Sequence, residues 1–328
     1  MMEFNILFTS AGRRVSLIRY FKEALLELGI EGLMVTADMR RNAPAAWVSD
    51  AHEILPRVTD LDYIPRLMDI CEKHAIKLVI PLIDTELQVL ADHRFEFEKI
   101  GAFVLVSAPE VIQIGNDKRK TALFLESIGI KTPKLMDPYE VLQETDTCYP
   151  LMLKPFNGSS SMGVNKVNSV EELKFFMNNI PNPILQEFVI GQEYTVDVLM
   201  DFQGKACAAV PRLRIETRSG EVSKGMTVKD IQIMTAAKKV AEALPGAVGC
   251  ITLQCFVTDL KEIVFIEINP RFGGGVPLSL AAGAHYCKTI IQWLLNRPVD
   301  WNDMDGWRDG LVMLRYDEAF FVQQGDIK

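Results

Sequence analysis

The sequence predicts a protein of mixed α/β and α+β class, in which a parallel α/β domain precedes a small lid and a larger antiparallel sheet. The first third of the chain alternates short apolar strands with amphipathic helices, which is typical of a parallel sheet. Later in the chain the strands become longer and alternate polar with apolar residues, as strands of antiparallel sheets do. A hydrophobic content of 48% in 328 residues is enough for the cores of two or three sub-domains.

In the parallel domain, predicted for residues 1–112, each strand is followed by a helix. The first helix opens at Ala11-Gly12 and ends at Gly29, where glycine suits a helix C-terminus. The preceding turn, TSAGRR, lacks the three glycines of a dinucleotide fingerprint, so an NAD-dependent oxidoreductase is only a weak alternative. The predicted strands are Phe4–Thr9, Leu33–Ala37, Leu78–Leu82 and Phe103–Val106, and further helices cover Leu61–His74 and begin over Thr85–Leu90.

The remaining chain is predicted to contain a lid (residues 113–188), a core with the antiparallel sheet (residues 189–300) and a C-terminal extension (residues 301–328). Ser169 is expected to cap a lid helix, because serine accepts a hydrogen bond from the helix's first N–H groups. The predicted lid elements are the helices Asp117–Ile128 and Ser169–Asn179 and the strands Tyr149–Pro155 and Pro183–Val189. A helix over Val228–Leu244 is expected to pack on the core sheet.

Composition limits the class of function. A net charge of −8 argues against a nucleic-acid binder or a protein bound to an anionic membrane. No apolar stretch is long enough to span a bilayer, and the start MMEFNILFTSAG lacks the features of a signal peptide. The six cysteines form no CxxC pair, which favours free thiols in a reducing cytoplasm, and four scattered histidines argue against a zinc site.

The segment IVFIEINPRFGGG carries the clearest functional signal. Glu267 and Asn269 are two residues apart in an apolar strand, so their side chains project from one face. The strand Ile251–Val257 precedes it, and a turn centred on the Leu260–Lys261 bond places Gln254 opposite Glu267, with Cβ atoms roughly 5 Å apart. One carboxylate and two amides suit Mg²⁺, which prefers oxygen ligands. A register slip of one residue would break this arrangement, and the alternative is an ordinary strand that ends in a polar loop.

A loop rich in glycine and serine follows the strand that ends at Lys154. Small residues let backbone N–H groups close around phosphate oxygens, and the lysine places a charge beside them. Lys118, in the preceding helix, is a second candidate for phosphate contact. Otherwise the segment is a mobile surface loop, as most such segments are. The candidate loop residues are Gly158, Ser159, Ser160, Ser161, Met162 and Gly163.

The segment QEFVIGQE predicts a strand, a turn and another strand. The backbone of Glu187, Phe188 and Val189 could meet an adenine edge, and the Glu193 carboxylate could accept ribose hydroxyls. Glu187 and Glu193 could equally be solvated residues at the ends of strands.

Asp84 and Glu86 follow a strand of the parallel sheet at its carboxyl end, where open α/β sheets bind ligands. They are candidates for substrate contact. The alternative is a capping box of Thr85 and Gln88, in which acids in the first helical turn are simply favoured by the helix dipole.

Cations near a phosphoryl-transfer site neutralise the charge that develops on the transferred group. Arg271 follows the metal strand, and Lys224 lies in the charged segment RLRIETRSGEVSKG; these two are the preferred catalytic pair. Arg212 and Arg214 in the same segment are candidates for substrate contact. Solvation of an edge hairpin is the default expectation for that segment.

Taken in order, these motifs resemble the ATP-grasp superfamily over Asn116 to Arg297, and most of all one synthetase half of the carbamoyl-phosphate synthetase large subunit. The resemblance rests on NDK, on LKP at Lys154, on NGSSSMGV, on QEFVIGQE and on the Gln254…EINPR pattern. It implies a Rossmann-like pre-ATP-grasp domain followed by an ATP-grasp fold. By that resemblance the lysines contact nucleotide phosphates and the glycine loop closes as a lid. Glu187 and Val189 hold adenine, Glu193 holds ribose, and Gln254, Glu267 and Asn269 hold magnesium.

The function expected from this resemblance is that of an ATP- and Mg²⁺-dependent carbon–nitrogen ligase, with Mn²⁺ as a substitute metal. The enzyme would activate a small carboxylate as an acyl phosphate for attack by an amine or ammonia. Phosphorylation of bicarbonate or carbamate is the alternative within the family, and a non-catalytic nucleotide sensor is the alternative from another class. A synthetase large subunit carries two such halves, whereas this chain has one, and the sequence leaves a homodimer open.

Overall fold

The structure is a computed structural model that describes residues 3–144, 146–158, 163–301 and 304–327. The predicted parallel domain is present as a five-stranded sheet in the order β3-β2-β1-β4-β5, with all strands parallel. Its strands are β1 (Asn5–Thr9), β2 (Met34–Asp38), β3 (Ala51–Ile54), β4 (Ile76–Pro81) and β5 (Phe103–Val104). Its helices are α1 (Val15–Glu27), α2 (Tyr63–Lys73), α3 (Asp84–Asp92) and α4 (Arg94–Lys99).

Two helices lead from the parallel domain into a four-stranded antiparallel sheet with the order β6-β9-β7-β8. Ser169 caps α8 as predicted, because its hydroxyl accepts a hydrogen bond from the Glu172 N–H. The elements of this lid region are α5 (Pro109–Asn116), α6 (Lys118–Ser127), β6 (Leu135–Met136), α7 (Pro138–Val141), β7 (Leu151–Pro155), β8 (Asn165–Val167), α8 (Val170–Met177) and β9 (Pro183–Glu187).

The third sheet is antiparallel and has six strands in the order β14-β13-β10-β11-β12-β15. Its strands are β10 (Gln192–Met200), β11 (Ala206–Arg218), β12 (Glu221–Thr227), β13 (Gly249–Val257), β14 (Ile263–Asn269) and β15 (Val312–Leu314), and its helices are α9 (Ile231–Ala243), α10 (Val276–Ala281) and α11 (Tyr286–Leu294). The hairpin of β11 and β12 was expected at the sheet edge, and this is wrong, because β15 from the C-terminal extension pairs with β12.

Apolar side chains of the parallel sheet and the six-stranded sheet share one continuous core. Phe21 of the first domain contacts Phe272 of the last, with ring centroids 5.9 Å apart, and Phe8 packs on the Phe21 ring at 5.5 Å. The lid region has a small core of its own around Leu153 and Leu185. The two large sheets are therefore held rigidly together, while the lid packs separately. Among the helices described, none is long and apolar enough to cross a bilayer.

The hairpin of β13 and β14 decides the geometry of the polar residues. Gln254 pairs with Glu267, as predicted. Near the turn, however, Val257 pairs with Ile263, a register one residue away from the predicted one. The shift between these two points leaves Ile266 as an extra residue on β14, which is a β-bulge. Without the bulge, Glu267 would be displaced to the opposite face.

Candidate active site

Polar side chains from four adjacent strands share one face of the six-stranded sheet. Thr195 of the central strand pairs with Arg212 on one side and with Gln254 on the other, and Gln254 in turn pairs with Glu267. Because side chains alternate between the two faces along each strand, the polar residues two positions away lie on this same face. The face consists of Glu193, Thr195 and Asp197 on β10, Arg212 and Arg214 on β11, Thr252 and Gln254 on β13, and Glu267 and Asn269 on β14.

A cavity of about 860 Å³ borders this face, and all three sheets contribute to its lining. The parallel domain contributes Arg14, which follows β1, and residues 82–85, which follow β4. The strand order of the parallel sheet reverses between β1 and β4, and ligands of open α/β sheets bind at such a switch point. The lid contributes the end of β7 and the segment that joins β9 to β10. The cavity is therefore placed where substrates of α/β proteins usually bind.

Two lysines line the lid side of this cavity. Lys154 is only 8% exposed, and burial together with Lys118 lowers its pKa to about 8, although Glu267 opposes the shift. Burial also lowers the pKa of Lys118, against the attraction of Glu267 and Asp84. Within the described residues neither lysine makes an ion pair, and the Lys118 ammonium donates to the Gly158 carbonyl oxygen at 2.9 Å. Lys154 is buried and Lys118 is half-buried, and two such cations without carboxylate partners favour an anionic ligand.

Arg271 and Asp84 form a bidentate ion pair between the six-stranded sheet and the parallel domain. The guanidinium Nε and Nη2 each donate to one carboxylate oxygen at 2.6 Å. Burial alone would lower the pKa of Arg271, but Asp84, Glu267 and Glu221 together outweigh this and the net direction is upward. A planar, doubly held guanidinium is fixed in orientation, which suits a group that must stabilise charge at one position.

Glu193 lies on the same sheet face as Glu267. Burial raises the pKa of Glu193, Arg214 opposes this at an Nε–Oε1 distance of 3.2 Å, and repulsion by Glu267 adds to the upward shift. Hydrogen-bond donors from a ligand, or a cation near Glu267, would stabilise the charged form of Glu193.

The segment that follows β9 leaves backbone groups at the cavity. Glu187 ends the strand, and its N–H donates to the Lys134 carbonyl oxygen at 3.1 Å. Phe188 and Val189 line the cavity, and the ammonium of Lys166 lies 4.5 Å from the Phe188 ring centroid. Gln186 is 3% exposed, and within the described residues its side-chain oxygen has no hydrogen-bond partner. An orphaned buried acceptor in a cavity wall indicates a ligand donor.

The predicted metal ligands Gln254, Glu267 and Asn269 all line the cavity. Among the described residues, no cluster of three or more His, Cys, Asp or Glu side chains could hold a metal. One carboxylate and two amide groups do not form a closed protein cage. They fit a hard cation such as Mg²⁺, which takes oxygen ligands and completes its coordination with phosphates and water.

Two sequence families match the chain in succession. The family described as PylC-like, N-terminal domain matches residues 6–105, and the ATP-grasp domain matches residues 115–275. The second match covers both lysines, the loop after β7 and the polar hairpin.

Residues 115–275 of this chain form an ATP-grasp domain.

The ATP-grasp protein resembles several curated ligases. The D-alanine–D-alanine ligase of Fusobacterium nucleatum is 29% identical over 182 residues, which cover 53% of this chain and 60% of that one. The carbamoyl phosphate synthase large chain of Campylobacter jejuni is 27% identical over 214 residues, 59% of this chain and 20% of that one. The resemblance to carbamoyl-phosphate synthetase is therefore confirmed, and the chain spans less than two thirds of either relative.

Solved structures confirm the predicted fold. A biotin carboxylase from Campylobacter jejuni superposes with a TM-score of 0.72 at 16% identity, covering 92% of this chain and 72% of that one. The L-amino acid ligase from Bacillus licheniformis gives a TM-score of 0.68 at 18% identity, covering 93% and 77%. At these identities the likeness concerns the fold alone.

Three of the predicted site residues that the structure describes, Lys224, Glu86 and Gly163, lie outside the cavity lining. Lys224 is exposed on β12, and its ammonium pairs with Glu216 at 2.6 Å, so it is not brought together with Arg271 as the predicted catalytic pair requires. Glu86 is fully buried and accepts hydrogen bonds from Ser10, Tyr63 and the N–H groups of Leu82 and Ile83. Substrate contact by Glu86 is therefore wrong, because its carboxylate caps the start of α3 from within the core.

The two candidate arginines of β11 line the cavity, but both carry carboxylate partners. Arg212 makes a buried bidentate pair with Asp197, at 2.8 and 3.0 Å. Arg214 faces Glu193 and donates to the Gly220 carbonyl oxygen at 3.0 Å. Their charges are locally compensated, so an anionic ligand gains less from them than from the lysines.

The predicted phosphate loop is described only in part. Gly158 lines the cavity and Gly163 packs beside Pro155; both have positive φ angles, which favour glycine. The predicted contacts of Ser159, Ser160, Ser161 and Met162 lie outside the described residues.

Sequence reasoning missed Arg14, Gln186 and the run Gly273–Gly275. Arg14 follows the first strand of the parallel sheet, and the rule that ligands bind at carboxyl strand ends could have identified it. The glycines leave room for the arginines, because a Cβ at Gly275 would lie 2.2 Å from Nη1 of Arg212.

Proposed function

We propose that this protein is an ATP- and Mg²⁺-dependent ligase that activates a carboxylate as an acyl phosphate for attack by an amine or ammonia. The observation that carries the proposal is the convergence of three groups on one cavity. These are the two unpaired lysines of the lid, the polar face with Glu267 between two amides, and Arg271 fixed by Asp84. Carboxylate-activating phosphoryl transfer needs these three kinds of group.

The nucleotide would occupy the lid side of the cavity. Lys118 and Lys154 would contact its phosphates, which explains why neither has a carboxylate partner among the described residues although Lys154 is buried and Lys118 is half-buried. The adenine amino group would donate to the orphaned oxygen of Gln186, with the backbone of Glu187–Val189 beside the ring edge. Ribose hydroxyls would donate to Glu193, whose raised pKa such donors would lower.

Gln254, Glu267 and Asn269 would hold the Mg²⁺, which supplies charge neutralisation to the phosphates when it is bound. The register of β13 and β14 places the three side chains on one face of the sheet, where their oxygen atoms would be available to one cation. Mn²⁺ fits the same oxygen donors.

The chemistry requires no protein nucleophile. A carboxylate oxygen of the substrate attacks the γ-phosphorus, the bond to the β–γ bridging oxygen breaks, and acyl phosphate and ADP result. The amine nitrogen then attacks the acyl carbon, phosphate leaves, and the amine proton passes to solvent or to a nearby base. Arg271, held by Asp84, would stabilise negative charge on the reacting carboxyl group.

Phosphorylation of bicarbonate or carbamate is the second candidate, and the match to carbamoyl phosphate synthase chains favours it. Both candidates use the same nucleotide site and differ in the size of the acceptor. The cavity volume of about 860 Å³ lies near the upper end of the usual range for ligand pockets, roughly 300–1,000 Å³. This leaves room for an acceptor larger than bicarbonate beside the nucleotide.

The decisive experiment is an ADP-release screen with pooled carboxylic acids, amino acids and ammonia in the presence of Mg-ATP. ADP formed only with an acid and an amine together supports the ligase, and ADP formed with bicarbonate alone supports the second candidate. ATP binding without ADP from any pool would instead indicate a nucleotide sensor. Tighter binding of NAD than of ATP would refute the assignment of the cavity to ATP.

The cellular compartment and the oligomeric state of the protein are also proposals. All six cysteines are free thiols and five are buried, which supports a reducing compartment such as the cytoplasm. The biotin carboxylase domain of Hydrogenobacter thermophilus 2-oxoglutarate carboxylase is described as a dimer. A homodimer of this chain is tested by light scattering on the purified protein.

A further inference from the structure

Two arginines, Arg14 and Arg271, line the end of the cavity next to the parallel domain. Two more, Arg13 and Arg315, lie outside the lining but act on Arg14, and the four share two carboxylates. Arg271 pairs with Asp84, and Glu221 pairs with Arg13 at 3.0 Å and with Arg315 at 3.2 Å. The fourth arginine, Arg14, lines the cavity but makes no ion pair or side-chain hydrogen bond to any residue that the structure describes. This end of the cavity therefore carries an excess of positive charge.

The energetics of Arg14 follow from this arrangement. Burial and repulsion by Arg271 lower its pKa to about 10, Glu221 opposes the shift, and Arg315 and Arg13 add to it. The guanidinium lies over a glycine, since a Cβ at Gly274 would be 2.7 Å from its Nη1 atom. Arg14 is half-buried, and the nearby Glu221 already pairs with Arg13 and Arg315, so a guanidinium that forms no ion pair of its own gains when a ligand supplies a carboxylate.

Arg14 acts at a different end of the cavity from the phosphate lysines. The charges that act on Lys154 are Lys118 and Glu267, whereas those on Arg14 are Arg271, Glu221, Arg315 and Arg13. Arg271 is influenced by both Glu267 and Glu221, so it stands between the two ends.

We propose that Arg14 binds the carboxylate of the acyl substrate, at the switch point of the parallel sheet and beside Arg271. The proposal rests on the proposed ligase function and adds the residue that recognises the substrate class. A guanidinium binds a carboxylate through two parallel N–H···O bonds, which also orients the group for attack on the γ-phosphorus. The substrate is then a small molecule with a free carboxylate, such as an amino acid.

The test uses malonate as the probe and thermal unfolding as the readout. The protein is first saturated with Mg-ADP, so that Lys118 and Lys154 are occupied, and is then titrated with malonate against sodium chloride of equal ionic strength. We expect malonate to raise the melting temperature of the wild type further, with a saturable dependence on concentration. Arg14→Gln should weaken malonate binding at least tenfold and leave the shift caused by Mg-ADP unchanged.

Two variants make the test specific. Arg13→Gln removes the same charge from the neighbouring, exposed arginine and should keep the malonate response. Arg14→Lys keeps the charge but not the paired N–H groups, so its malonate affinity should lie between those of the wild type and Arg14→Gln, which separates loss of the charge from loss of the fold. The proposal is overturned by a wild type without a malonate response, by Arg14→Gln with an undiminished one, or by equal loss in Arg13→Gln. A missing Mg-ADP shift in the wild type refutes the nucleotide site instead, and malonate titration of the nucleotide-free protein then still tests Arg14.

Discussion

Replacing Lys154 by methionine should stabilise the protein while weakening its binding of nucleotide. Methionine keeps the length and apolar stem of lysine, so the packing on β7 is preserved. It removes a charge that is 8% exposed and, within the described residues, has no carboxylate partner. The energetic cost of that charge is present in the free protein and is repaid only when an anionic ligand binds.

The size of the effect follows from the pKa. Its decrease from 10.5 to about 8 corresponds to a cost of about 3 kcal/mol for the charged form in the folded state. Because the folded-state pKa lies below the unfolded one, this cost is complete below pH 8 and disappears as the pH rises towards 10.5. Lys154→Met should therefore gain about 3 kcal/mol at pH 7 and about 1 kcal/mol at pH 9.5.

The assay is urea unfolding followed by far-UV circular dichroism at both pH values, with wild type and variant compared at each. Lys174→Met is the matched control, because Lys174 is exposed on α8 in the same lid region, and its unfolding free energy should stay near that of the wild type. Calorimetry with Mg-ADP completes the experiment, and Lys154→Met should bind at least tenfold more weakly. A variant that is less stable than wild type at pH 7, or equally stabilised at both pH values, would refute the reasoning.

The remaining predictions concern the sheet face and the ion pair. Glu267→Gln should reduce turnover at least about a hundredfold with little change in melting temperature, because the carboxylate serves the metal rather than the core; a sharp loss of thermal stability with turnover intact would make the residue structural. Gln254→Ala should reduce turnover less, since a neutral amide contributes a weaker field, and a larger loss than for Glu267→Gln would contradict this order. Asp84→Asn should lower the unfolding free energy by about 2 kcal/mol as well as turnover, because it leaves the buried Arg271 without its anion. The control Asp92→Asn, at the exposed end of the same helix, should change neither quantity in these assays.

Periodicity and turn residues determined most of the elements and the fold class. Apolar alternation and helical spacing are local properties, so the parallel domain, the capped helix α8 and the strands β13 and β14 could be predicted from the sequence. Short elements such as β6, β8 and β15 were missed, because two or three residues carry no periodic signal and form only through pairing with a neighbouring strand.

Among the site residues too, some were identified from local sequence and others depended on the tertiary structure. Lys118, Lys154, Gln254, Glu267 and Asn269 carry sequence signals in their own segments, and the structure brings them to one cavity. Their roles toward nucleotide and metal remain predictions. The pairing of Gln254 with Glu267 was predicted from the turn, yet the turn itself has a different register and the β-bulge at Ile266 restores the pair.

Only the tertiary structure decided which charges are free to bind a ligand. Asp84 and Arg271 are 187 residues apart and form one ion pair, whereas Glu86, two residues from Asp84, is buried in the core. Lys224 is paired at the surface, and Arg14 lacks a partner within the part of the chain that the structure describes. A sequence shows which side chains carry charge. Whether a charge is desolvated or paired depends on residues that the fold brings together from distant segments. Desolvation and pairing together set the free energy that is available for binding a ligand.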